Sequence, residues 1–167
     1  KKHGIRASHT SEVVLEDGVP VLGLIDLPGV NERTVGWKGG GVTRNGVPVR
    51  CSQRTELRDA LTAHGDLFCF DWCGERPAFE RMAREIPILR GYTDAFGHAQ
   101  VLAGGIDAMV DLHLNPWDAA ATQILVPEAG GRCITLAYPQ PGKLGLVFGA
   151  PALVDRLAGW LERGRPI

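Results

Sequence analysis

The segment from Asn115 to Gly131 constrains the fold more than any other part of the sequence, because it carries the signals of a helix with two defined ends. Pro116 suits the first helical position, since it has no N–H to leave unpaired and its φ is already set. Asn115 is a suitable N-cap, and Asp118 stands where the acid of a capping box stands. Apolar residues follow at helical spacing, and Gly130 can end the helix in a left-handed conformation.

Asp118, in the first turn of this predicted helix, has two interpretations. It caps the helix, which is the commoner use of an acid at this position. Alternatively, it shares the positive end of the helix dipole with a metal ion or a phosphate group, because anions are favoured at helix N-termini. The local pattern leaves both interpretations open.

The same residues resemble a family signature. Trp117-Asp118-Ala119-Ala120 followed by Glu128-Ala129-Gly130-Gly131 is similar to the C-terminal signature of the inositol monophosphatase superfamily, whose members are magnesium-dependent phosphomonoesterases. With Asn115-Pro116 before it, the signature looks most like the histidinol-phosphate phosphatase branch. The resemblance extends to residues 94–111 and 35–49, and so covers nearly the whole chain beyond the first few residues.

The resemblance implies a fold, a cofactor and a site. The fold is an α/β sandwich with α/β/α/β layers, and the cofactor is Mg²⁺, with Asp118 as one metal ligand. The substrate is a small phosphorylated metabolite whose hydroxyl or amine groups face Thr93, Asp94 and Asp111. Considered without the resemblance, Asp111 is equally an ordinary solvent-exposed acid on a strand. Proteins of this family are usually homodimers, so a homodimer is also expected.

Two segments that carry most of the metal ligands in this family are absent from the sequence. Neither a Gly-Glu-Glu segment nor an Asp-Pro-(Ile/Phe/Leu)-Asp-Gly-Thr segment occurs, so Asp118 is the one expected carboxylate ligand and no catalytic residue is assigned. The opening Lys1-Lys2-His3-Gly4 has no helix cap and no initiator methionine. We therefore expect residues 1–167 to be the C-terminal portion of one domain whose N-terminal part is missing. We also expect the chain alone to be nearly inactive, because one carboxylate seldom holds magnesium.

Composition is that of an ordinary globular domain. The chain has 167 residues, 44% of them apolar, and a net charge of −1, which favours one domain and gives no support to nucleic acid as a partner. No apolar run approaches the roughly 20 residues of a membrane span, and the start has no signal segment, so a cytoplasmic protein without a membrane partner is the default. Four scattered cysteines predict reduced, mostly buried thiols rather than disulfides.

Residues 1–51 predict antiparallel strands joined by hairpins. Asp17-Gly18 is the first turn, and the strand after it, residues 19–27, has enough apolar residues to be buried on both faces. Further strands are expected at residues 33–37 and 47–50, the latter at a sheet edge because it contains Pro48. The three glycines at 39–41 lack the Lys-Ser/Thr pair of a phosphate loop, so they predict a flexible hairpin turn.

Residues 52–167 predict alternating helices and strands, which favours an α/β portion. Besides the helix that begins at Pro116, helices are expected over residues 53–64 with Ser52 as N-cap, from Pro77 onward, over 95–103, and from Pro151 onward. Strands are expected at residues 67–70, 88–89, 108–112, 132–136 and 144–148.

Other chemistries have weaker support. His98 and His113 lack the close spacing of transition-metal ligands, and His98 is better interpreted as a hydrogen-bonded core residue. Ser8, Ser11 and Ser52 lack the Gly-x-Ser-x-Gly pattern of serine hydrolases. The sequence therefore predicts a histidinol-phosphate phosphatase or a related small-molecule phosphatase. The alternatives are an inositol monophosphatase, a bisphosphate nucleotidase and, in a different class, a non-catalytic dimerisation or regulatory domain.

Overall fold

The computed structural model describes residues 9–92 and 94–167. The first sheet has five antiparallel strands in chain order: β1 (Thr10–Glu16), β2 (Val19–Leu27), β3 (Glu32–Trp37), β4 (Gly41–Arg44) and β5 (Val47–Pro48). Asp17 and Gly18 form the first turn with φ of 50° and 79°, the left-handed values that a two-residue hairpin turn requires. The predicted hairpins are confirmed, and β5 lies at the sheet edge as its proline indicates.

The second sheet has six strands: β6 (Leu61–His64), β7 (Ile88–Gly91), β8 (Ala108–Leu114), β9 (Arg132–Ala137), β10 (Leu144–Gly149) and β11 (Arg165–Pro166). Their order across the sheet is β11-β9-β10-β8-β6-β7. β6 runs parallel to both β7 and β8, whereas the β8–β10, β10–β9 and β9–β11 pairs are antiparallel.

Five α-helices complete the layers: α1 (Leu67–Cys73), α2 (Arg76–Glu85), α3 (Asp94–Leu102), α4 (Pro116–Glu128) and α5 (Pro151–Ala158). α3 and α4 lie between the sheets, and α1, α2 and α5 cover the other face of the second sheet. Each face of the second sheet thus has its own apolar core. The predicted four-layer α/β fold is confirmed, and no helix among the described residues has the length and apolar character needed to cross a membrane.

α4 packs closely on the first sheet because two strand residues that face it have no side chain. A Cβ atom on Gly23 would lie 2.8 Å from Cγ2 of Ile124, and one on Gly36 would lie 3.0 Å from Cδ2 of Leu125. The first distance is shorter than real Cβ contacts and the second is tighter than most of them, so larger residues at these positions would press against α4.

Glu128, at the end of α4, binds the glycine turn between β3 and β4. Its two carboxylate oxygens accept hydrogen bonds from the backbone N–H groups of Gly39 and Gly41, at 2.9 and 3.2 Å. The three glycines therefore form a hairpin turn, as predicted. The N–H groups of Gly39 and Gly41 bind an acid of this chain, and that of Gly40 donates to the carbonyl of Trp37.

The helix predicted over residues 53–64 is wrong. An extended segment, interrupted by one 3-10 turn at Leu57–Asp59, leads into β6 instead. The hydroxyl of Ser52 donates to Asp107 rather than capping a helix, and the other oxygen of Asp107 accepts from the N–H of Leu61 at 2.8 Å. These tertiary bonds, together with two parallel neighbours for β6, outweigh the local helical propensity.

The strand predicted over residues 67–70 is also wrong, because these residues begin α1. The side chain of Asp66 accepts a hydrogen bond from the N–H of Phe68 at 2.9 Å, and Gly74 ends the helix with φ of 74°. Both signals, an N-cap acid and a C-terminal glycine, are local and visible in the sequence.

The prediction that β2 is buried on both faces is also wrong. Within the described residues its burial alternates. Gly23, Ile25 and Leu27 are buried on one face, whereas Leu22 and Leu24 are half-buried on the opposite face. Alternation of this kind is typical of an antiparallel sheet with one covered face.

Glu75 fixes the C-terminal segment to the rest of the domain. Its carboxylate, in a residue that is 1% exposed, accepts hydrogen bonds from the backbone N–H groups of Glu162, Arg163 and Gly164 at 2.9, 2.7 and 3.0 Å. The hydroxyl of Tyr138 also donates to it, at 3.4 Å. Burial, and then the nearby charge of Glu75, raise the pKa of Tyr138 well above its ordinary value.

We expect Glu75→Ala to lower the free energy of unfolding by about 3 kcal/mol, because several donors lose one charged acceptor. Glu75→Gln retains an acceptor oxygen and should lose about half as much. Urea unfolding followed by circular dichroism measures both. Glu80→Gln, at an exposed position of α2, is the matched control and should change stability by less than about 0.5 kcal/mol. Wild-type stability of Glu75→Ala would contradict the anchoring role.

Candidate active site

Three parallel strands of the second sheet end at the same edge. β6 ends at His64, β7 at Gly91 and β8 at Leu114. α3 begins soon after β7, and α4 begins directly after β8, so the first turns of both helices lie at this edge. Ligands of α/β sheets bind outside the carboxyl ends of the strands, and anions are favoured at helix N-termini. The topology therefore places a candidate site here.

A pocket of about 250 Å³ lies between the first turns of α3 and α4. Its lining includes Ser11, Asp94, Ala95, His98, Leu114 and Asp118. These side chains come from the first sheet, from both helices and from the end of β8. The described lining contains two acids, two histidines (His9 and His98) and neither lysine nor arginine. The two acids can pair with a cationic group beside any anion that the helix termini bind.

Asp118 is exposed and both caps α4 and faces the pocket. Its Oδ2 accepts from the backbone N–H of Asn115 at 3.1 Å and from the side-chain amide of Asn115 at 2.8 Å. The cap uses one oxygen, and no donor of the described residues is bonded to the other. The two interpretations of Asp118 are therefore compatible with each other.

Asp94, the first residue of α3, has a left-handed backbone with φ of 51°. A residue with a Cβ adopts this conformation at a cost of about 1 kcal/mol or more, and such strain is concentrated at functional sites. Asp94 lines the pocket, as its predicted role requires. Thr93, the other substrate residue predicted beside it, lies outside the described residues, and its role stays a prediction.

Asp111 is buried on β8. It is 5% exposed, so it is not a solvent-facing strand residue. Its Oδ2 lies 3.0 Å from Nε2 of His98, and its Oδ1 is directed at the backbone of Gly65, directly after β6. His98 lines the pocket and contacts Asp111, and both of its ring nitrogens have partners. The prediction that His98 is a satisfied core histidine is confirmed, and the substrate role of Asp111 stays a prediction.

The described residues do not form a magnesium site by themselves. Within residues 9–92 and 94–167, no group of three or more His, Cys, Asp or Glu side chains is arranged to hold a metal ion. Asp118 offers one available carboxylate oxygen, whereas magnesium requires six oxygen ligands in octahedral geometry. A metal at this edge needs further ligands from elsewhere.

Lys143 is a site residue that the sequence analysis missed. Its Nζ donates to Oδ1 of Asn115 at 2.6 Å and thereby orients the amide that holds Asp118. Lys143 lies in the loop before β10, and no local pattern marks it as a partner of Asn115. Only the folding of β10 beside β8 brings the two together.

The cysteines do not supply a nucleophile. All four are free thiols, and burial raises the pKa of Cys51 and Cys133 to about 12 and that of Cys69 and Cys73 to about 11. A protonated thiol is a poor nucleophile, so these residues are inert at neutral pH. The predicted reduced thiols are confirmed.

The model of the inositol monophosphatase family matches residues 4–154 of the sequence. The chain belongs to this family. It is 34% identical over 130 residues to the fructose-1,6-bisphosphatase/inositol-1-monophosphatase of Thermotoga maritima. The matched region covers 77% of this chain and 49% of that protein. It is 29% identical over 132 residues to the histidinol-phosphatase of Chlorobaculum parvum, with 78% and 51% covered. The inositol monophosphatase of Anabaena has a similar structure, with a TM-score of 0.76, 28% identity, and 90% of this chain and 62% of that chain covered.

The family assignment confirms the resemblance recognised between Asn115 and Gly131. The chain spans about half the length of the curated relatives that it matches. The layers described above thus have the inositol monophosphatase fold.

Gly65 has a testable role in this site. A Cβ at this position would lie 2.1 Å from Oδ1 of Asp111, so any larger residue must displace that carboxylate. We expect Gly65→Ala to lower the free energy of unfolding by about 2 kcal/mol, since the buried Asp111–His98 pair has little room to move. Thermal unfolding measures the change. Gly159→Ala is the control, because the nearest atoms to its Cβ are 3.5 Å away, and it should be neutral within about 0.5 kcal/mol.

Proposed function

We propose that the chain is part of a phosphomonoesterase that hydrolyses a small phosphorylated amino alcohol, with histidinol phosphate as the first candidate. One observation carries the proposal: an exposed Asp118 lines a pocket between the first turns of α3 and α4. Two helix N-termini that converge on one pocket suit a phosphate group, because their unpaired N–H groups and dipoles favour negative charge.

The acids of the pocket support an amino alcohol as substrate. Asp94 lies on the α3 side and Asp118 on the α4 side, and the described lining has neither lysine nor arginine to compete with a substrate ammonium group. In this proposal, Asp94 binds the amine, with Thr93 and Asp111 as further substrate residues. The likeness to a protein named histidinol-phosphatase supports the same choice.

Inositol monophosphate is the second candidate, supported by the likeness to the Thermotoga maritima protein. A bisphosphate nucleotide is the third.

We propose Mg²⁺ dependence for the whole protein only. In such an enzyme, the bound ion would supply an activated water molecule and charge neutralisation at the leaving oxygen. Asp118 would be one ligand, and the remaining ligands do not come from the described residues. No catalytic step is therefore assigned to this chain. A cytoplasmic homodimer, without nucleic acid or membrane as partner, completes the proposal.

A non-catalytic domain that uses the same scaffold for dimerisation or regulation is the alternative from a different class. The absence of a complete metal-ligand set among the described residues favours it. The pocket between two helix N-termini, with Asp94 and Asp118 in its lining, favours the phosphatase, because it offers a phosphate group a place to bind.

The first prediction concerns the 167-residue chain itself. We expect it to bind magnesium weakly and to hydrolyse histidinol phosphate at a rate close to background, since one carboxylate oxygen cannot fix the coordination geometry of the ion. Calorimetric titration with MgCl₂ and release of inorganic phosphate measure the two properties. CaCl₂ is the control titrant, because Ca²⁺ tolerates irregular oxygen ligands better. Rapid hydrolysis by this chain alone would refute the expectation.

The second prediction concerns the full-length protein. We expect Asp118→Asn to lower magnesium-dependent hydrolysis by more than roughly 100-fold, beyond the usual effect of residues that merely support a metal ligand. Asparagine keeps an acceptor for the helix cap, so the fold should survive. Rates on histidinol phosphate, inositol monophosphate and a bisphosphate nucleotide identify the substrate. Asp59→Asn is the control, because Asp59 is exposed and distant from Asp118 in the sequence, and it should leave the rate unchanged. Full activity of Asp118→Asn would overturn the ligand role.

A further inference from the structure

A buried polar chain connects the three elements that meet behind the pocket. Oγ1 of Thr122 on α4 lies 2.6 Å from Nδ1 of His98 on α3, and Nε2 of the same ring lies 3.0 Å from Oδ2 of Asp111 on β8. Thr122 is 0% exposed and His98 is 2% exposed. The ring of Phe148 lies against the imidazole, with 4.7 Å between the ring centroids. A polar network in such surroundings is stable only when its members are fully paired.

The order Thr–His–Asp resembles a catalytic triad, but burial excludes a nucleophilic role for Thr122 in this structure. A nucleophile needs an open approach for the substrate, whereas the threonine side chain is enclosed between α3, α4 and the second sheet. The network therefore acts on Asp111 rather than on a substrate at Thr122.

The two oxygens of Asp111 have different environments. Oδ2 is held by His98, whereas Oδ1 is directed to Gly65, where a Cβ would come within 2.1 Å of it. Gly65 directly follows β6, so Oδ1 lies beside the backbone at the carboxyl end of that strand. Asp111 as a whole retains 5% exposure. A carboxylate fixed through one oxygen can accept a hydrogen bond from a ligand through the other.

We propose that His98 is a positioning residue. Its Nε2–H holds Oδ2 of Asp111, and the hydroxyl of Thr122 donates to Nδ1 and fixes the ring. Oδ1 of Asp111 is thereby oriented to accept a hydrogen bond from a hydroxyl or ammonium group of the substrate. This inference rests on the proposed phosphatase function for its substrate. The tautomer that it requires, Nε2-protonated and Nδ1-accepting, does not depend on that function.

The first test uses the 167-residue chain and no turnover. Long-range ¹H–¹⁵N spectra of the imidazoles report which nitrogen of His98 carries the proton. We expect a proton on Nε2 and, in Thr122→Val, a shift of the Nδ1 resonance toward that of an unbonded nitrogen, with recovery in Thr122→Ser. Thr62→Val is the matched control, because Thr62 is equally buried but its hydroxyl has no partner among the described residues. A neutral ring protonated on Nδ1 alone would overturn the proposal.

The second test uses the full-length protein and two substrates. Histidinol phosphate has an ammonium and p-nitrophenyl phosphate has no comparable donor. We expect Thr122→Val and His98→Asn each to lower the ratio of kcat/KM for the first substrate to that for the second by about tenfold, chiefly through KM, as loss of one charge-assisted hydrogen bond predicts. Thr122→Ser should restore the ratio.

The outcomes separate the two proposals. If His98 and Thr122 only support the fold, both rates fall together and the ratio is unchanged, which contradicts positioning. If the wild-type protein hydrolyses neither substrate, the proposed function fails. In that case the tautomer measurement still decides whether His98 holds Asp111.

Discussion

The structure depends on the packing of one helix, α4, between the two sheets. Its buried face contacts the first sheet where Gly23 and Gly36 leave room for it, and its last residue, Glu128, binds the turn between β3 and β4. Asp118 lies ten residues before Glu128 on the same rigid element, about 15 Å away at 1.5 Å per residue. The position of the candidate ligand is thus determined largely by contacts at the other end of the helix.

The sequence predicts those parts of the fold whose signals are local. α4 has a cap, a proline at its first position and an apolar repeat, and its start is where the sequence places it. The helix predicted after Ser52 is wrong because the conformation of this segment depends on Asp107, which is 55 residues from Ser52 and 46 from Leu61. The strand predicted in place of α1 is wrong for a different reason. Asp66 and Gly74 mark the ends of a helix, whereas the four apolar residues in a row between them favour a strand.

In the candidate site, too, local patterns are predictable and distant partners are not. Asp94 is recognised through the family resemblance, Asp118 also through its capping position, and both line the pocket. The surroundings of Asp111 are not recognisable, because burial turns an apparently ordinary strand acid into one held by His98 from another element. Lys143 contributes through a loop that carries no motif at all. Sequence patterns therefore identify groups that face a ligand, whereas the groups that orient them become visible only after the chain has folded.

The compatibility of capping and ligand binding at Asp118 has a physical basis. A helix cap needs one acceptor oxygen, and a carboxylate has two, so the cap fixes the rotamer of Asp118 while the second oxygen stays available. The amide of Asn115 reinforces this orientation, and Lys143 in turn prevents that amide from rotating away. Such an arrangement lowers the entropy lost when the free oxygen binds a cation. The capping box is therefore an argument for a ligand role, because the helix terminus orients the acid before any ion arrives.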